Sequence, residues 1–144
     1  MQGYLDGLPT GVRPLGPISA ACPGSPQIAD RLLDLYLAGT KTAGSGLVED
    51  YLTARDPLPK VGDHWIFLDS GGRPRCILRT SRVEMRVFRD VPERIAVAEG
   101  EGDLSLAYWK RAPAEHYRPH LSEWGIDDIE AATVVTEFFT LVHR

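Results

Sequence analysis

Between residues 25 and 46 the chain changes its pattern abruptly, and that change constrains the fold more than any other feature. Ile28, Leu32 and Leu35, with Ala29, Leu33 and Tyr36 beside them, recur at helical spacing. Ser25-Pro26 stands before them in the order favoured at a helix start, a capping hydroxyl and then a proline at the first helical position. Gly39 stands after them, where a helix commonly ends in a left-handed residue. The helix therefore delivers the chain in a fixed geometry to Gly39-Thr40-Lys41-Thr42-Ala43-Gly44-Ser45-Gly46, a polar, glycine-rich island. A second island, residues 98–109, carries Glu99, Glu101, Asp103, Ser105, Tyr108 and Trp109. Together they supply an ammonium, hydroxyls, carboxylates and backbone N–H groups, the parts of a pocket for a small polar ligand or of a hydrolytic site.

The remaining segments read as a mixed α+β domain. Residues 1–24, rich in Gly and Pro and without periodicity, read as an extended arm; residues 25–144 read as the domain proper. Residues 47–52 predict a short helix closed by Pro57-Leu58-Pro59. Trp65-Ile66-Phe67-Leu68 predicts a buried strand with Trp65 in the core. The turn cluster Asp69-Ser70-Gly71-Gly72-Arg73-Pro74 sends the chain back as a hairpin through Cys76-Ile77-Leu78. Val83, Met85 and Val87 alternate with Arg82, Glu84 and Arg86, the period of a half-buried strand. A short helix begins near Asp90, residues 105–124 are mostly helical with bends near Pro113 and Pro119, and residues 133–142 form a final β-branched strand. This order suggests a small mixed sheet curled into a barrel with helices packed around it.

A chain of 144 residues suits one domain. No apolar run approaches the roughly 20 residues of a membrane helix, and no basic-then-apolar leader opens the chain, so neither membrane association nor secretion is expected. Two cysteines, Cys22 and Cys76, without a CxxC or Cys/His cluster, predict no disulfide framework and a reducing, cytoplasmic setting. His116 and His120 are four apart, but Pro119 between them breaks the helical register; neither a metal nor a cofactor is expected. The net charge of −4 argues against tracking a long nucleic-acid backbone. Arg73, Arg75, Arg79, Arg82, Arg86 and Arg89 fall close together, either as a local basic groove or as the solvated face of a hairpin.

Taken in order, several segments resemble the ASCH domain (activating signal cointegrator homology) of the PUA-like group. These are Ser25-Pro26 with Ala29-Asp30, Gly39-Thr40-Lys41-Thr42-Ala43, residues 57–63, residues 72–76, and residues 98–103 with Ser105-Leu106 and Tyr108-Trp109. The resemblance spans residues 25–142. It implies a PUA-like barrel with a cleft beside the G-x-K motif, an association with RNA, and, in small bacterial relatives, removal of the acyl group from N4-acetylcytidine. In those amidohydrolases a lysine, a threonine three residues later and a distant glutamate form the catalytic set. Lys41 and Glu101 match the lysine and the glutamate; Gly44 stands at the threonine position. Glu49 replaces an aromatic, and the histidine the family places near Pro113 is changed.

Amide hydrolysis needs a nucleophile, a proton acceptor and stabilisation of the oxyanion. Lys41 serves as a base if desolvated, or stays charged and grips a carbonyl or phosphate. With Gly44 lacking a hydroxyl, Ser45 becomes the candidate nucleophile, in phase with Lys41 along an extended segment, and water activated by Glu101 is the alternative. Thr42, Gly44, Asp103, Ser105 and Tyr108 are candidates for holding substrate, Tyr108 by stacking. Each has a plainer use: Lys41 capping helix carbonyls, Thr42 and Ser45 bonding nearby backbone, Asp103 and Ser105 capping a helix, Tyr108 and Trp109 packing in the core. The readings are a hydrolase acting on a modified nucleoside or RNA, a non-catalytic RNA- or nucleotide-binding module, or a scaffold without chemistry. Oligomeric state is open, with an arm-swapped homodimer one possibility.

Overall fold

The computed structural model describes residues 2–144; Met1, the first residue of the expected arm, lies outside them. A five-stranded sheet forms the centre, built from β1 (Ile18–Ala21), β2 (Ala43–Leu47), β3 (His64–Leu68), β4 (Pro74–Val87) and β5 (Thr133–His143). Its order is β1-β3-β4-β5-β2. Only β1 and β3 run parallel; β3–β4, β4–β5 and β5–β2 are antiparallel. The helices are α1 (Gln2–Asp6), α2 (Ala29–Leu37), α3 (Val48–Ala54), α4 (Glu93–Glu99) and α5 (Leu106–Tyr117).

The sheet is open, which corrects the expected barrel. β1 and β2 are its two edges and do not bond to each other. The extra edge comes from the segment read as an extended arm, which carries α1 and then places Ile18–Ala21 alongside His64–Phe67. Four residues with one β-branched side chain give no alternation to detect.

Packing on both faces follows from the strand period. Adjacent Phe138 and Phe139 on β5 point to opposite sides. Phe138 joins a cluster with Leu47, Phe88, Ile95 and Val134, under α4 and α5. Phe139 joins Leu32, Leu33, Tyr36, Phe67 and Leu78, under α2. In α2 the fully buried positions are Ala29, Leu32, Leu33 and Tyr36, an i, i+3, i+4, i+7 stripe. The helix begins later than Ser25-Pro26 implies: Ile28 N donates to Ser25 O at 3.1 Å, forming a tight turn before the helix. Asp30 in the first turn bonds Ser70 N and Oγ at 2.9 and 2.8 Å, fastening the helix to the β3–β4 hairpin.

That hairpin turn is organised by buried Asp69. Its Oδ1 accepts from Gly71 N and Arg73 N, both at 3.0 Å, and its Oδ2 accepts from Arg73 Nε at 2.9 Å. Further along β4 a bulge falls between Thr80 and Arg82, bending the strand.

Candidate functional site

Lys41 is 4% exposed, rare for a lysine. Two features place it. Gly39 adopts φ +77° at the end of α2, as its position predicts, and Thr40 N and Lys41 N both donate to Leu35 O at 3.0 Å. Thr42 then joins three elements: its N donates to Ala98 O at 2.7 Å, and its O accepts from Phe139 N at 2.8 Å. The lysine is thus carried to the C-terminal end of α4.

There Lys41 Nζ donates to Glu99 O at 3.1 Å, to Glu99 Oε1 at 3.5 Å and to Glu101 Oε2 at 3.1 Å. Three acceptors thus surround the nitrogen, one for each N–H of an ammonium group. Glu99 is held from its other side by Trp109 Nε1, which donates to Oε2. Glu101 is the accessible partner, with its side chain 28% exposed against 10% for Glu99. Gly100 between them makes the arrangement possible. It has φ +68°, and a Cβ there would lie 2.4 Å from Thr40 O. Only glycine brings the two segments this close.

The lysine faces a cavity of about 680 Å³, within the usual range for small-molecule sites. Tyr36, Tyr51, Trp65, Tyr108 and Trp109 are among its walls. Tyr36 lies with its ring centroid 5.4 Å from Lys41 Nζ. Burial, then Glu99, Glu101 and Glu137, pushes its hydroxyl well above the ordinary phenol range. A Cβ at Gly44 would sit 3.2 Å from this hydroxyl.

Several sequence candidates occupy other roles. Ser45 lines the cavity, but its Oγ pairs with Thr136 Oγ1 at 2.8 Å, and no base bonds it among the described residues. Thr42 Oγ1 donates to Ala98 O at 3.3 Å, away from this cavity. Ser105 caps α5, accepting from Tyr108 N at 3.0 Å, and Asp103 accepts from Ser105 N at 2.9 Å; neither lines the cavity. Tyr108 does line it, with Gly102 leaving room for its ring. Glu49 clamps Thr133 N with both carboxylate oxygens, fixing the start of β5. His116 lines the cavity edge-on to Tyr117, while His120 stacks on Trp124.

The residues that sequence reasoning missed as site groups are Glu99, Tyr36, Glu137 and Trp65. Glu99 read only as one carboxylate of the second polar island, and Trp65 read as core; Trp65 is half-buried, packed against the Leu32–Tyr36 core cluster and at the same time part of the cavity wall. In the arginine cluster, Glu84 pairs with Arg82, Arg86 and Arg94 and Asp69 pairs with Arg73 and Arg75, while Arg79 and Arg89 have no ion pair among the described residues.

Comparison with known proteins gives a consistent picture. The ASCH domain family model matches residues 19–143. The crystal structure of an ASCH domain from Lactobacillus crispatus JV V101 superposes with a TM-score of 0.81 at 29% identity, over 99% of this chain and 91% of that one. A protein from Enterococcus faecalis V583 superposes with a TM-score of 0.77, also at 29% identity, over 99% and 85% of the two chains. No curated protein sequence matches the chain.

Proposed function

The chain belongs to the ASCH domain family, and from that premise we propose that its cleft takes the base of a nucleoside or short RNA and hydrolyses an acyl amide carried on it. The family is generally associated with RNA binding. The observation that carries the reading is a buried ammonium between two carboxylates, one fixed and one accessible, beside an aromatic cavity.

Charge favours a base over a phosphate inside the cleft. Two cations, Lys41 and Arg31, stand against three carboxyl groups, Glu99, Glu101 and Glu137, in the lining. An oxyanion-rich phosphate would meet more acid than base there. A flat, uncharged heterocycle fits the aromatic walls.

In the proposed reaction the substrate carbonyl oxygen replaces Glu101 as an acceptor on Lys41 Nζ. Glu101, released, takes a proton from water as the water oxygen bonds to the carbonyl carbon. Lys41 stabilises the resulting oxyanion. Glu101 then returns the proton to the amine nitrogen as the C–N bond breaks, leaving a free amine and a carboxylic acid. Glu99 and Trp109 keep the lysine in place throughout. Water is the nucleophile because Ser45 is bonded to Thr136 and Gly44 has no hydroxyl.

The glycine at position 44 and the bonding of Ser45 to Thr136 also favour the second reading, a binding module without turnover. Incubation with N4-acetylcytidine, and separately with a short single-stranded RNA, followed by chromatography, separates the two. Release of cytidine supports hydrolysis. Binding without any product supports the module, and strand scission would point to a ribonuclease.

A further inference from the structure

Glu137 is 8% exposed and lies on β5 opposite Gly44 of β2. Its Oε2 accepts from Thr80 Oγ1 at 2.9 Å and from Trp65 Nε1 at 3.3 Å. Its Oε1 has no donor among the described residues, and no cation pairs with the carboxyl. The side chain lines the large cavity, with Trp65 and Tyr36 also in the lining.

The carboxyl group is fixed through Oε2, while Oε1 is not among the fully buried atoms that lack a partner and so is open to the cavity that the side chain lines. Burial, opposed by the bonds from Thr80 and Trp65 and reinforced by Asp63, leaves it above the ordinary carboxylate range. Such a group gains most from an external hydrogen-bond donor that enters the cavity. Its acceptor character also complements the donor character of Lys41, the other pole of the lining.

We infer that Glu137 is the residue that selects the ligand, its free Oε1 accepting an exocyclic N–H of an amino-bearing nucleobase held among the aromatic walls. This rests on the nucleoside reading above and deepens it: amino bases such as cytosine are taken, and bases presenting a carbonyl at the same place, such as uracil, are refused. Lys41 and Glu101 act on the reacting group; Glu137 sorts the bases.

The test uses cytidine and uridine, titrated calorimetrically at mildly alkaline pH into the wild-type chain and into Glu137→Gln. Trp65 Nε1–H can only donate, so it turns the glutamine carbonyl towards itself and leaves the amide NH₂ facing the cavity. An acceptor becomes a donor without loss of the two anchoring bonds. The wild type should prefer cytidine by about tenfold or more, and Glu137→Gln should lose or reverse that preference. Glu137→Gln should keep or raise the melting temperature near neutral pH, because a buried carboxyl that resists ionisation has been replaced by an amide. A merely structural carboxyl would instead lower the melting temperature and leave the preference unchanged. Binding of both nucleosides with a preference that survives Glu137→Gln overturns this assignment and leaves the nucleoside reading intact. Binding of neither nucleoside overturns both.

Discussion

Glu99 grips Lys41 twice, through its backbone carbonyl at 3.1 Å and its side-chain Oε1 at 3.5 Å, across 58 residues of sequence. The lysine is therefore part of the fold as well as of the cleft. Removing it leaves Glu99, largely buried, as an uncompensated charge.

Lys41→Met should lower stability by about 3 kcal/mol, within the range seen when one member of a buried ion pair is removed. Lys41→Met combined with Glu99→Gln should recover part of that loss, because the stranded charge is gone. Glu101 can turn to water and adds less. Urea unfolding of the single and double variants measures this; additive losses would contradict it.

Gly100→Ala should cost more than about 2 kcal/mol, since φ +68° disfavours any side chain and the new Cβ would sit 2.4 Å from Thr40 O. The same change should push the Glu99–Glu101 segment away from Lys41. Thermal unfolding and nucleoside binding should fall together.

Tyr36 and Gly44 should behave as a coupled pair. A Cβ at 44 meets the tyrosine hydroxyl at 3.2 Å, closer than ordinary contact. Gly44→Ala should therefore destabilise the wild type by about 1 kcal/mol more than it destabilises Tyr36→Phe. A double-mutant cycle in urea reads the difference directly, and a coupling near zero would show that the strand yields instead.

Acid sensitivity should centre on Glu84. Hydrogen bonds from Arg94, then from Arg86, hold its carboxyl down to about 2 from an ordinary value of 4.5. A carboxyl depressed by folding stabilises the fold above its unfolded pKa and loses that contribution as pH falls towards the folded one. Wild type should thus exceed Glu84→Gln in melting temperature near neutral pH, with the gap closing between about pH 4.5 and 2. A gap that stays constant over that window would contradict the assignment.

The sequence spoke clearly wherever a local rule operates. The apolar stripe and Gly39 located α2 and the turn that carries Lys41, and the Asp69–Pro74 cluster located the hairpin. It was silent where distant segments meet. Nothing near Lys41 announces Glu99 as its partner, because the contact depends on α4 ending at Gly100 in a left-handed conformation. Nor does strand alternation say whether a sheet closes: β1 is short, lies in a Gly/Pro-rich segment and takes an edge beside β3, leaving an open sheet. Ser105 and Asp103 had the composition of ligand groups and the geometry of a helix start, a distinction that only the position of α5 resolves.

Glu101 is the most exposed carboxylate of the Lys41 cluster and the member that turnover requires to leave it. The decisive measurement is the rate of cytidine release from N4-acetylcytidine by wild type and by Glu101→Gln, with melting temperatures recorded on the same preparations. The expected result is release by wild type, a fall of about a hundredfold or more in Glu101→Gln, and little change in melting temperature. No release by the wild type, or equal release by both proteins, would contradict it.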